Sequence, residues 1–194
     1  MDRHFGPKGQ MTQSRILKAA TTVFVRNEGR IELEEIAQEA GVSMGLLYRY
    51  FPSKGTIQAA VVESYYDRLD KAIWQPIENF ETYRQQESKR IMLYIAFQTA
   101  DPVGRIVLTY VGWLPEAQEV VERRGQRFVA LVEASLAHGQ ESGVIDELLD
   151  IDLAAPMLLS AINTAISIGL KDPSIEADRI TFAALKHFDR IAFS

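Results

Sequence analysis

Residues 33–55, LEEIAQEAGVSMGLLYRYFPSKG, decide the fold. Leu33, Ile36, Ala37 and Ala40 recur at the spacing that gives a helix one apolar face. Gly41 follows. Only glycine takes a positive φ without steric cost, so the helix stops there and the chain turns. Ser43 offers a side-chain oxygen to cap a second helix over 44–51. That helix must end at Pro52, because the residue before a proline avoids helical geometry. Helix, glycine turn, helix is the helix-turn-helix layout.

Upstream, Ile16, Ala19, Ala20, Val23 and Phe24 follow the i, i+3, i+4, i+7, i+8 spacing of a core-facing helix. Thr12 or Ser14 stands near its expected start, and Gly29 closes it. Downstream, a helix over about 55–73 carries Ile57, Val61 and Leu69, and its polar run Asp67, Arg68, Asp70, Lys71 reads as a solvated face. Pro76 breaks that helix, and polar residues 78–90 lead into an apolar stretch at 91–97. Asp101-Pro102 ends it and starts another, with Asp as cap and Pro at the first helical position. Leu114-Pro115 precedes a long helix over about 116–142 that Gly143 terminates. Helices over about 153–171 and 175–192 complete the chain, the last beginning near Pro173-Ser174. The expectation is an all-α fold of about nine helices, with an N-terminal three-helix domain over 1–55 and a helical body over 56–194.

The segment LAAPMLLSAINTAISIGL, 153–170, is long enough to suggest a membrane span. Against that, Ser160, Asn163, Thr164 and Ser167 form one polar stripe, Pro156 sits in the first turns, and no basic flank marks a cytoplasmic side. We read no membrane partner. A soluble helix apolar on most of its circumference is buried on more than one side, by its own core or by a partner subunit. The final helix, with Ile180, Ala183, Ala184, Leu185, Phe188 and Ile191, is also more apolar than a monomer surface needs.

The net charge of −5 is unevenly spread. Residues 1–55 hold eight Lys and Arg against six acids, and the remainder thirteen against twenty. A basic N-terminal part on an acidic body orients a molecule toward a phosphate backbone. The absence of cysteine excludes disulfides and thiolate metal sites. His4, His138 and His187 show no metal-ligand spacing, and no Gly-rich phosphate loop follows a strand. No catalytic residue, metal or cofactor is therefore expected. The first ten residues have no apolar stretch of signal-peptide length, which points to the cytoplasm.

Ala-Gly-Val-Ser, then Gly, then Leu-Tyr-x-Tyr-Phe, then Ser-Lys resembles the DNA-binding domain of the tetracycline-repressor (TetR) family of bacterial regulators, over about residues 12–60. The resemblance implies a homodimer that binds double-stranded operator DNA at a near-palindrome and releases it when a small molecule enters the second domain. It also implies pairing of the last two helices, about 153–192, as a four-helix bundle.

By matching positions, Ser43, Met44, Gly45, Leu46, Tyr48, Arg49, Tyr50 and Lys54 form the implied DNA-contacting set. Met44, Gly45 and Leu46 stand at base-facing positions, and Tyr48, Tyr50 and Lys54 at backbone-facing ones. Two apolar side chains in that group cannot hydrogen-bond to bases but can pack on thymine methyls, which leaves Arg49 for a bidentate guanine contact. Val42, Leu47 and Phe51 read as core. Where many members begin the second helix with Thr-Thr, this chain has Ile31 and Glu32, and Glu32 would repel a phosphate. Arg30, and an arm carrying Arg3 and Lys8, offer compensating charge.

An effector pocket in an all-α domain is apolar with a few placed polar groups. Tyr94, Phe97, Gln98, Tyr110, Trp113, Phe128, Met157 and Asn163 are the candidates, although aromatic stripes at helical spacing also serve as ordinary core. Gln98 and Asn163 are the most informative, because a buried amide needs a hydrogen-bond partner. The expected function is a ligand-responsive transcriptional regulator, a repressor released by a small hydrophobic effector. The alternative is a helical small-molecule-binding or interaction protein with a degenerate helix-turn-helix.

Overall fold

The computed structural model describes residues 6–74, 82–172 and 174–193. Arg3, His4, Pro76 and Pro173 lie outside the described residues. The described residues form nine helices and no strand. Three build the small domain: α1 (Pro7–Arg26), α2 (Leu33–Ala40) and α3 (Met44–Tyr50). The remainder are α4 (Lys54–Ile73), α5 (Tyr83–Ala100), α6 (Pro102–Thr109), α7 (Pro115–Glu141), α8 (Ile151–Lys171) and α9 (Ala177–Ala192).

Local chemistry sets most boundaries where the sequence places them. Gly41 takes φ 61°, and Ser43 Oγ accepts from Leu46 N to cap α3. Asp101 Oδ1 accepts from the amides of Val103 and Gly104 and caps α6. Two starts differ from expectation. α1 begins at Pro7, because a proline at the first position tolerates the missing N–H, and Thr12 Oγ1 bonds instead to the Lys8 carbonyl within the helix. α5 begins at Tyr83, capped by Thr82, so residues 83–90 of the polar 78–90 run form its first two turns, with Glu87 turned inward.

Ile16, Ala19, Ala20, Val23 and Phe24 are the buried face of α1, and Leu33, Ile36, Ala37 and Ala40 that of α2. They close on Leu47 and Phe51 and on Ile57, Val61 and Val62 of α4. The same apolar cluster continues without a break through Tyr65, Leu69 and Ile73 to Ile95, Ile162, Ile166 and Ile180. α4 therefore belongs to both halves of the molecule. A second cluster at the far end gathers Leu136, Ile145, Leu158 and Phe188.

The run Asp67, Arg68, Asp70, Lys71 is not simply solvated. Arg124 of α7, 8 % exposed, pairs with Glu63, Asp67 and Asp70 of α4, and Arg68 Nη2 meets Asp101 Oδ2 at 2.8 Å. α8 has the length and hydropathy of a membrane span, yet Ala154, Ala155, Leu158, Ile162 and Ile166 are buried within the protein.

Candidate nucleic-acid interface and effector cavity

α3 is short, and its residues divide cleanly. Leu47 is fully buried and Phe51 nearly so, which anchors the helix to the domain core. Gly45, Tyr48 and Arg49 are turned outward, with Tyr48 46 % exposed. Leu46 is half-buried and stands apart from the core cluster, whereas Met44 and Tyr50 rest their inner sides against it. Space around Gly45 is open, so the chain comes to the surface there with nothing above it. Ser43 is exposed and committed to capping.

Lys54, the first residue of α4, is exposed and pairs with Glu32, Nζ to Oε2 at 3.0 Å. Glu32 occupies the N-cap position of α2 but makes no side-chain cap there. Its carboxylate points to Lys54 instead. Ile31 beside it is a core residue. Arg26 is held by Glu35 at 2.8 Å and Glu39 at 3.6 Å, which raises the guanidinium pKa and lowers that of Glu35. Arg30 is exposed and bonds the Asn27 carbonyl.

Behind this surface, four contacts join the small domain to the segment 110–116. The Tyr110 ring lies against Gly29, whose φ of 98° and proximity to that ring leave no room for a side chain. Trp113 stacks on Phe24 at 6.2 Å between centroids. Gln58, buried on α4, donates to the Gly29 carbonyl at 2.9 Å and accepts from Leu114 N at 2.8 Å. Ser53 Oγ donates to Glu116 Oε1 at 2.7 Å. That bond holds the Glu116 carboxyl below its ordinary pKa.

The body contains a cavity open to solvent, with about 950 Å³ of empty space between α4, α5, α6, α7 and α8. Tyr94, Gln98, Phe128 and Asn163 come together in its wall with Tyr65 and Tyr66. A hydrogen-bond chain crosses it. Tyr65 Oη donates to Gln98 Oε1 at 2.5 Å, Gln98 Nε2 to Tyr94 Oη at 3.1 Å, and Tyr94 Oη to Asn163 Oδ1 at 2.6 Å. Burial pushes Tyr65 well up and Tyr94 up to about 12. Asn163 is half-buried, and its amide ends the chain in the cavity wall. A second, narrower and more apolar pocket shares Tyr94, Phe128 and Leu159 with the first. Its two charges, Glu87 and Arg90, pair with each other at 3.2 Å.

The other four candidates lie elsewhere. Phe97 packs against Tyr65 without lining either cavity, Tyr110 and Trp113 pack toward the small domain, and Met157 is 61 % exposed on the outer face of α8. Tyr65 and Tyr66 were legible as part of α4's apolar face but stood outside the candidate set. Glu116 and Gln58 left no local signal.

Residues 16–61 match the model of bacterial regulatory proteins of the tetR family. Residues 16–61 therefore carry a DNA-binding domain of the tetR type. It is 23 % identical over 182 residues to the transcriptional regulator EthR of Mycolicibacterium smegmatis, covering 92 % of this chain and 77 % of that one. The transcriptional activator FasR of the same organism is 29 % identical over 107 residues, 55 % of this chain and 49 % of its own length. The fold matches the fatty acid degradation regulator FadR of Bacillus halodurans with a TM-score of 0.77 at 20 % identity, over 95 % of each chain. The matched segment is the DNA-binding part of a transcriptional regulator of this kind, with the helix-turn-helix in the first three helices and a helical domain behind it.

Proposed function

We propose that this regulator works as a cytoplasmic homodimer on a near-palindromic operator, and represses until a small, neutral, largely apolar effector enters its cavity. Residues 1–55 form the DNA-binding unit and 56–194 the effector-binding and dimerising unit, with α4 passing between them. Met44, Gly45, Leu46 and Arg49 face base edges, Tyr48, Tyr50 and Lys54 face phosphates, and Ser43, the cap of α3, completes the DNA-contacting set. The observation that carries this reading is the division of α3: Leu47 and Phe51 sink into the core while Gly45, Tyr48 and Arg49 are turned out. Regulation requires binding alone, and no catalytic role is assigned.

One short helix makes too few base contacts to find a site among genomic competitors. Two copies one helical turn apart, roughly 34–36 Å, overcome this. The second copy is recruited through α8 and α9, where Leu153, Met157, Ile168 and Phe182 are 60, 61, 52 and 62 % exposed. Large apolar side chains left exposed on two neighbouring helices are what a partner subunit would cover.

For the effector, Asn163 Nδ2 supplies a hydrogen-bond donor, and Phe128, Val107, Leu108 and Val121 supply apolar wall. Among the described residues that cavity is lined by no charged side chain, and in the adjoining pocket Glu87 pairs with Arg90, so neither wall offers a spare charge for an ionic ligand. Effector and operator must then weaken each other's binding by the same factor.

The test is footprinting on the DNA beside the protein's own gene, followed by affinity measured across salt. A protected two-fold site with a log–log slope of about −0.9 per neutralised phosphate is expected. Absence of a protected palindrome, or flat salt dependence, would favour the degenerate-motif alternative, to which apolar Met44 and Leu46 belong.

A further inference from the structure

The first turn of α4 carries no acidic residue of its own, and two carboxylates from elsewhere converge on it. Glu32, from the start of α2, holds the Lys54 ammonium at 3.0 Å. Glu116, from the first turn of α7, accepts from Ser53 Oγ at 2.7 Å, and its other oxygen lies directly over Gly55. A Cβ built on Gly55 would fall 1.9 Å from Glu116 Oε2, so glycine is what admits the carboxylate. Ser53 and Thr56 close a capping box over the same turn. The positive end of a helix beside a lysine attracts an anion. Here the chain's own anions are already in place.

We propose that Glu32 and Glu116 are internal stand-ins for DNA phosphate, which keep the backbone-gripping surface of the free regulator occupied and lower its affinity for any duplex. This rests on the reading that Lys54 and the first turn of α4 meet phosphates. The two carboxylates differ in what controls them. Glu32 is fixed within the small domain and sets a constant penalty. Glu116 rides on α7, whose Val121, Gly125 and Phe128 wall the effector cavity. Val121 lies five residues from Glu116, or roughly 8 Å along a helix axis. A shift of α7 that seats Glu116 more firmly on α4 disfavours phosphate, and one that withdraws it clears the site.

The probe is a mixed-sequence duplex, since phosphate contacts carry nonspecific binding. Its affinity for the full-length protein is measured by fluorescence anisotropy across salt. Glu32→Gln and Glu116→Gln should each tighten binding at low salt by about two- to fivefold, the range of an exposed ion pair. Glu32→Gln should also steepen the log–log salt slope by roughly 0.9, one added phosphate. Glu34→Gln, an equal charge change on the exposed side of α2, should give a smaller gain, and the Glu32→Gln gain should vanish in a Lys54→Met background. Glu116→Gln keeps a hydrogen-bonding group for Ser53, and Glu116→Ala removes it. If both bind no better than the unaltered protein, Glu116 is a fixed joint between domains and the proposal fails. A Glu32→Gln gain no larger than that of Glu34→Gln overturns the role of Glu32. If Lys54→Met alone leaves affinity and slope unchanged, the underlying phosphate reading fails instead.

Discussion

Gln58 Nε2 donates to the carbonyl of Gly29 at 2.9 Å, so a residue on the helix leaving the small domain secures the loop that follows α1. The other end of the same amide accepts from Leu114 N at 2.8 Å. Gln58 is 1 % exposed and Gly29 is buried too, so the Gly29 carbonyl has no ready water partner when the amide is lost. Replacing Gln58 by Leu should destabilise the fold by about 1–3 kcal/mol for each buried group left unpaired. In a chain of this size each kcal/mol lowers Tm by roughly 2–4 °C. Thermal unfolding followed by circular dichroism measures it, and an unchanged Tm would contradict the bridging role.

Arg124 fills a slot between three acids on α4 and lies 5.6 Å from the centre of the Tyr66 ring. Arg124→Ala leaves Glu63, Asp67 and Asp70 facing one another, with Arg123 still on Glu63 and Arg127 on Asp70. The acids are partly solvated, so the expected loss is about 1–3 kcal/mol, below that of a fully buried pair. Urea denaturation should show a lower midpoint with an unchanged slope.

The buried tyrosines predict an alkaline limit. Burial raises Tyr66 and Tyr94 to about 12, while the unfolded chain releases these protons near 10. Between those values the folded state binds more protons than the unfolded, so stability is intact below pH 10 and falls as pH rises toward 12. Each such tyrosine contributes a slope of about 1.4 kcal/mol per pH unit. Tyr94→Phe should flatten this decline. It should also lower stability near neutrality, because Gln98 Nε2 and Asn163 Oδ1 both lose a partner. Denaturation curves across pH separate the two effects.

A charge on the outer face of α8 and α9 should prevent association. Phe182→Glu together with Met157→Lys alters two side chains that are 62 and 61 % exposed, so the monomer fold should survive. Sedimentation should shift to one chain mass with helicity retained, and operator affinity should fall by orders of magnitude. A variant that remains dimeric would place the interface elsewhere.

Arg49→Ala and Tyr48→Phe probe different tasks on α3. The first should cost about 1–3 kcal/mol of discrimination at one base-pair position. The second removes a hydroxyl from an exposed ring and should weaken binding evenly across sequences. Competition with single-base operator variants distinguishes the two patterns.

The small domain was legible because its determinants are local. Gly41, Ser43 and Leu47 act on neighbours one to four residues away, and every buried position of α1 and α2 follows from helical periodicity. The cavity was half legible: Tyr94, Gln98, Phe128 and Asn163 converge, but periodicity could not tell them from Tyr110 and Trp113, which pack toward Gly29 and Phe24. Contacts between helices far apart in sequence left no trace. Glu116 meets Ser53 across 63 residues, and Arg124 reaches acids that looked like an ordinary wet face.

α8 has two faces with different occupants. Leu159 and Asn163 wall the cavity, while Leu153, Met157 and Ile168 project from the other side. In a dimer built on that outer face, one rigid rod touches the effector of its own subunit and the backbone of its neighbour. The two effector sites are then not independent. The second molecule should bind with an affinity set by the first, giving a titration curve with a Hill coefficient away from one. A hybrid dimer with a single blocked cavity should respond by other than half.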